Sequence, residues 1–253
     1  MKKYFLFAAG LVVLGLTPAF AQFGPHGGEP QGPNFGGVLD KLFGDHQVFS
    51  AAMEFQTTGR SGNNVTMPGK LCFDGGKSSF EMNMSEMQGS KMTPDTAAHL
   101  KSMGMDTMIS ISCPDKKLAY LVYPGLHCYV EMAQTGAASG ADIAGYKVET
   151  TELGKETVDG HDCVKNKVIV TDKEGARHES TVWNAGDLKD FPVKIVTGEQ
   201  GQSATMLFKN ISFDKPAAGV FDAPAGFTKY DNLQTMMQTE MMKKMGGLAM
   251  PAH

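Results

Sequence analysis

The chain has 253 residues, 42% of them hydrophobic and 20% charged, a balance that excludes both a disordered polyelectrolyte and a polytopic membrane protein. Lys and Arg number 23 against 27 Asp and Glu, a formal charge of −4, which excludes a protein built mainly to neutralise nucleic-acid phosphates. Thirty glycines (Gly 30) favour a turn-rich β architecture, and 18 methionines need a cause of their own.

In chain order, residues 1–21 read as a secretory signal peptide. Lys2 and Lys3 precede an apolar run from Tyr4 to Leu16, and Ala19-Phe20-Ala21 supplies a small-x-small site with cleavage after Ala21. The run falls short of the ~20 residues a bilayer needs, so an exported, periplasmic protein is expected, with no integral membrane segment once the signal is removed. Residues 22–35 are rich in Gly and Pro and predict a flexible segment. Val38, Leu39, Leu42 and Phe43 then recur at helical spacing, which predicts a short N-terminal helix.

From there about eleven short alternating runs predict strands: 48–58, 64–73, 77–84, 106–113, 117–123, 127–132, 147–155, 161–171, 176–184, 191–198 and 203–213. Tight turns such as Asp74-Gly75-Gly76-Lys77 and Asp159-Gly160 join them as antiparallel neighbours. Pro68, which cannot donate to a ladder, points to an edge or a bulge in the second run. Residues 88–105 interrupt the series with a helix stopping at Gly104, residues 133–145 with a small-residue loop, and a Met-rich helix and tail occupies 232–253. One domain, 36–231, is the expectation.

Period-two alternation assigns faces. Phe49, Met53 and Phe55 share one side of the first strand, Met67 and Phe73 one side of the second, and Phe80, Met82 and Met84 one side of the third; Ile109 and Ile111 are assigned to the same apolar face in the fourth. A twisted antiparallel sheet of this size must curl. The expected fold is therefore mainly β, an unclosed barrel or half-barrel with a short N-terminal helix, a helical lid insertion and a C-terminal helix. Those ten side chains are the expected lining for an apolar ligand, since Met suits surfaces that adapt to a guest. His99, Leu100, Met103 and Met105 are assigned to the lid.

At this point the chain resembles the LolA/LolB-like superfamily of periplasmic lipoprotein carriers, through an uncharacterised exported bacterial family near it. The likeness lies in VFSAAMEFQTT (Val48 to Thr58), YLVYPGLHCYVEM (Tyr120 to Met132), LGKETVDGHDCVKNKV (Leu153 to Val168), WNAGDLKDFPVKI (Trp183 to Ile195) and VFDAPAGFTKYDN (Val220 to Asn232), and spans roughly residues 36–232. The resemblance implies an unclosed barrel with a helical lid over a cavity for acyl chains, a lipid or the acyl chain of a lipoprotein as ligand, and an envelope protein as partner. The carriers latch the lid with an arginine, whereas Arg60 and Arg177 lie in no matching stretch, so that latch does not carry over.

The remaining reactive residues have rival readings. Thioethers are soft and select Cu(I), and methionines cluster at Met82 to Met92, Met103 to Met108 and Met236 to Met250. A Met-rich Cu(I)-binding protein is therefore one alternative, and a structural envelope module with a docking tail another. Against copper, the strand methionines share a face with Phe80, and Leu233, Met237 and Met241 form a helical stripe typical of packing. Cys72, Cys113, Cys128 and Cys163 are disulfide candidates in an oxidising compartment, with Cys72–Cys113 and Cys128–Cys163 as the neighbour-first pairing. No hydrolase elbow, zinc-protease motif or phosphate loop is present. The sequence therefore predicts no catalytic residue, no cofactor, no metal ligand and no nucleic-acid partner.

Overall fold

Asp40 and Lys41 open a single helical turn, α1 (Val38–Leu42), which hands the chain through Phe43 and Gly44 into β1 (Val48–Thr58). The computed structural model describes residues 38–58, 64–89, 93–134, 145–199 and 202–246. The expected signal peptide, the segment 22–35, Arg60, most of the 133–145 loop and the final tail residues lie outside the described residues.

The strands that follow are β2 (Asn64–Asp74), β3 (Lys77–Asn83), β4 (Thr107–Cys113), β5 (Leu118–Tyr123), β6 (Cys128–Ala133), β7 (Lys147–Val158), β8 (His161–Thr171), β9 (Arg177–Ala185), β10 (Phe191–Glu199), β11 (Gln202–Ser212) and β12 (Thr228–Tyr230). They form one 12-stranded sheet in the order β12-β6-β5-β4-β3-β2-β1-β11-β10-β9-β8-β7. It is a meander in which β1 pairs with both β2 and β11, and its two edges, β12 and β7, do not pair, so the sheet is unclosed. Every pairing is antiparallel except β12 on β6. The sequence missed β12 because three residues, Thr-Lys-Tyr, are too few to show an alternation.

Pro68 sits in a central strand, contrary to the edge expectation, but β2 pairs with β3 only from Gly69 onward. Its missing N–H therefore falls just outside the stretch of β2 that is paired with β3. Gly69 has its own reason: a Cβ there would stand 2.5 Å from the Phe80 ring, which lies across it.

Register partners fix the faces. The inner face carries Phe49 with Phe73, Phe55 with Met67 and Met206, Met53 with Phe208, Leu71 with Phe80, Met82 with Met108, and Leu121 with Val130. Phe43 packs into it, with ring centroids 4.8 Å from Phe49, 5.3 Å from Phe73, 5.7 Å from Phe208 and 6.2 Å from Phe191. One side chain thus ties together β2, β1, β11 and β10. At the other end, α3 (Leu233–Gly246) lies over β6 and β12, with Met236 fully buried.

Part of the outer face is covered too. Ile111, Cys113, Tyr120 and Val122 form a cluster there, packed by Ile109, Leu118, Tyr129, Ala223 and Phe227. The chain between β11 and β12 crosses this face, pinned by a Cys113 Sγ hydrogen bond to the Phe221 carbonyl (3.0 Å) and by Lys116 on Asp222 (2.9 Å). Edge strand β7 is exposed along nearly its whole length and carries Glu149, Glu152 and Glu156, charges that discourage pairing with another chain.

Phe43→Ala removes the ring that joins four strands. It should destabilise the fold by about 3–5 kcal/mol in urea unfolding, while Met242→Ala, at a side chain 66% exposed, should stay within about 0.5 kcal/mol.

Candidate functional site

The inner face is the candidate ligand surface. Phe49, Met53, Phe55, Met67, Phe73, Phe80 and Met82 all stand on it and are buried, as the alternation of β1 to β3 predicted. Met84 has left β3 for a 3-10 turn, Met84–Glu86, and is half-buried.

Ile109 and Ile111 correct the sequence reading. Phe80 pairs with Ser110 and Ser78 with Ser112, whereas Ile111 pairs with Ser79 and Tyr120. The isoleucines therefore point to the outer face, into the cluster under Phe221 and Phe227, and the inner face of β4 carries Met108, Ser110 and Ser112. The physical reason is that both faces of β4 to β6 are covered. Hydrophobicity alone cannot phase such a strand, and a one-residue choice exchanges the two faces. Met108, Leu121, Val130, Met206 and Phe208 are the inner-face residues that sequence reasoning left out; register against Phe80 and Met53 supplies them.

The lid insertion forms α2 (Pro94–Met103). Thr93 caps it by accepting from the Thr96 amide (3.2 Å), Pro94 opens it, and Gly104 ends it in the left-handed conformation (φ 71°). Only glycine fits at Gly104, because a Cβ would stand 2.5 Å from the Gly125 carbonyl oxygen. No side chain of α2 is buried: His99 is exposed, and Leu100 and Met103 are half-buried. Met105, just beyond the helix, is buried. The helix rests against the Met84–Glu86 turn, the 124–126 turn and α3, where the Lys244 ammonium donates to the Ser102 carbonyl (3.2 Å).

A polar latch holds α3. Tyr230, on the inner side of β12, donates its hydroxyl to Glu240 Oε1 (2.5 Å), and Lys243 Nζ donates to the same oxygen (2.7 Å). Burial raises the Glu240 carboxyl, but the hydrogen bonds from Lys243 and Tyr230 and the nearby ammoniums outweigh it and hold it below its ordinary 4.5. Folding therefore favours the charged form.

The cysteines correct a second expectation. All four are free and buried. Cys72 lies on β2 and Cys113 on β4 with β3 between them; two strand spacings come to about 10 Å, beyond the ~7 Å Cα separation a disulfide tolerates. Cys128 and Cys163 lie on β6 and β8, near opposite edges of the sheet. Burial raises all four thiols, Cys128 to about 11 with Glu240 adding to the effect, so none is poised as a thiolate nucleophile. His161 Nδ1 stands 2.7 Å from Asp187 Oδ2 on the 3-10 turn before β10. No group of three or more His, Cys, Asp or Glu among the described residues could hold a metal ion, and no described helix is long and apolar enough to cross a membrane.

Compared with known proteins, the chain matches no family model and no curated protein. It is similar to solved structures. One is the LolA superfamily protein NE2245 from Nitrosomonas europaea (9% identity, 73% of this chain and 94% of that one, TM-score 0.37). Another is the lipoprotein LppX from Mycobacterium tuberculosis (12%, 69% and 96%, 0.38). A third is a putative outer membrane lipoprotein-sorting protein domain from Vibrio parahaemolyticus (14%, 72% and 92%, 0.33).

Two measurements check this geometry. Thiol titration of protein purified without reductant should find all four cysteines (Cys 4) reactive after unfolding and nearly unreactive before. The stability that Glu240 contributes is complete above its ordinary 4.5 and is lost as pH falls through the lower folded value. Proteolytic release of α3 should therefore accelerate only in that acid range, and Glu240→Gln should release it faster already at pH 7.

Proposed function

We propose that this chain is an exported, non-catalytic periplasmic carrier that holds an acyl chain, free or on a lipoprotein, against the inner face of its sheet beneath α2 and α3. An envelope protein would receive the ligand. One observation carries the reading: the inner face is predominantly apolar from β6 to β10, interrupted at Ser78, Ser110 and Ser112, and Met53, Met67, Met82, Met108 and Met206 on it are unbranched side chains that can repack around a guest.

These side chains pack against one another, so a guest enters only if the lid lifts. The lid is weakly held, since among the described residues α2 buries no side chain, contacts the Met84–Glu86 and 124–126 turns through half-buried groups, and meets α3 through an exposed hydrogen bond from Lys244. Burying a methylene is worth about 0.8 kcal/mol, so a dozen-carbon chain brings roughly 10 kcal/mol before ordering costs. That exceeds what such contacts oppose.

The test is uptake of cis-parinaric acid by protein purified without detergent, with native mass spectrometry and solvent extraction of anything that co-purifies. Wild type should bind the probe and release a lipid-mass adduct. Met82→Gln with Met108→Gln should weaken uptake at least ten-fold, whereas Val122→Thr, equally buried but on the outer face, should leave it unchanged; near-UV circular dichroism verifies packing in both. Gly104→Ala, which wedges the lid from the 124–126 turn, should speed uptake. A wild-type protein that takes up no probe, or equal loss in the inner and outer variants, sinks the reading.

A further inference from the structure

Two methionine groups far apart in the chain meet at one place. Met103 and Met105, at the end of α2, and Met237 and Met241, one helical turn apart on α3, line a single small void of about 10 Å³, completed by Leu126, Glu240 and Lys244. We propose that this void is a thioether site for a soft monovalent cation, Cu(I), at the lid–helix contact.

The chemistry of the lining carries the assignment. The volume is about that of one water molecule's probe sphere, and five of the seven lining side chains are apolar, four of them methionines. Thioethers bind no proton at any accessible pH and select Cu(I) over hard cations. Four neutral sulfurs leave the ion's single charge unneutralised, and Glu240, shared with Tyr230 and Lys243, is the one carboxylate in the same lining. Lys244 directs its ammonium to the Ser102 carbonyl on α2. An ion held by both helices would also fasten the lid to α3, so metal loading and lid opening would oppose each other.

The experiment is an anaerobic Cu(I) titration of the full chain against bicinchoninate, a chromogenic Cu(I) chelator. The variant replaces Met103, Met105, Met237 and Met241 with Leu, a volume-conserving change that keeps the fold, as its melting temperature verifies. Wild type should take one equivalent that the four-Leu variant holds at least ten-fold more weakly, and X-ray absorption should show a sulfur-dominated shell. Cys128→Ser, which alters a buried thiol that feels the Glu240 charge, should bind as wild type does. Unchanged affinity in the four-Leu variant, or loss of binding in Cys128→Ser, would overturn the site. No uptake by wild type would reduce the four methionines to packing and overturn it equally.

Discussion

Phe43 stands one residue beyond a five-residue helix, yet its ring touches aromatic side chains from four adjacent strands. The rest of the molecule depends on that contact, because an unclosed sheet must still remove its apolar face from water. A barrel does this by closing on itself; here the two edges stay apart and inserted side chains do it instead. Phe43 seals the half built on β1, β2, β10 and β11. Met236, on α3, is buried at the end built on β6 and β12.

The two seals differ in kind. The first is apolar and fully buried, a cluster of rings that tolerates no opening without loss of the core. The second is partly polar: the Tyr230–Glu240–Lys243 latch, the Ser102–Lys244 hydrogen bond and a patch of methionines. Segments held by few buried contacts are the ones that open at low free energy. The inner face thus has a fully buried aromatic cluster at one end and a cover with partly polar contacts at the other. The Gly104–Gly125 contact brings two backbones closer than any side chain would allow.

Methionine is the residue that both roles share. On the inner face its flexibility suits a surface that must repack around a guest. At the α2–α3 contact its sulfur offers chemistry that leucine lacks.

The alternation of apolar residues was enough to place eleven of the twelve strands within a residue or two, apart from a later end to β7, and the three helices likewise, with α1 shorter than the periodic stretch. Local sequence also determined the inner-face membership of β1, β2 and β3, because the opposite face of those strands carries Ser50, Glu54 and Glu81 and phases them without ambiguity. Only the tertiary structure decided the phase of β4. Its isoleucines and its methionine compete for burial, and the winner depends on the Phe221–Phe227 segment arriving from more than a hundred residues away to cover the outer face. The free state of the cysteines, the parallel strand β12 and the meeting of Met103 and Met105 with Met237 and Met241 were decided in the same way. Each is set by strand order and long-range packing, to which the spacing of residues along the chain is blind.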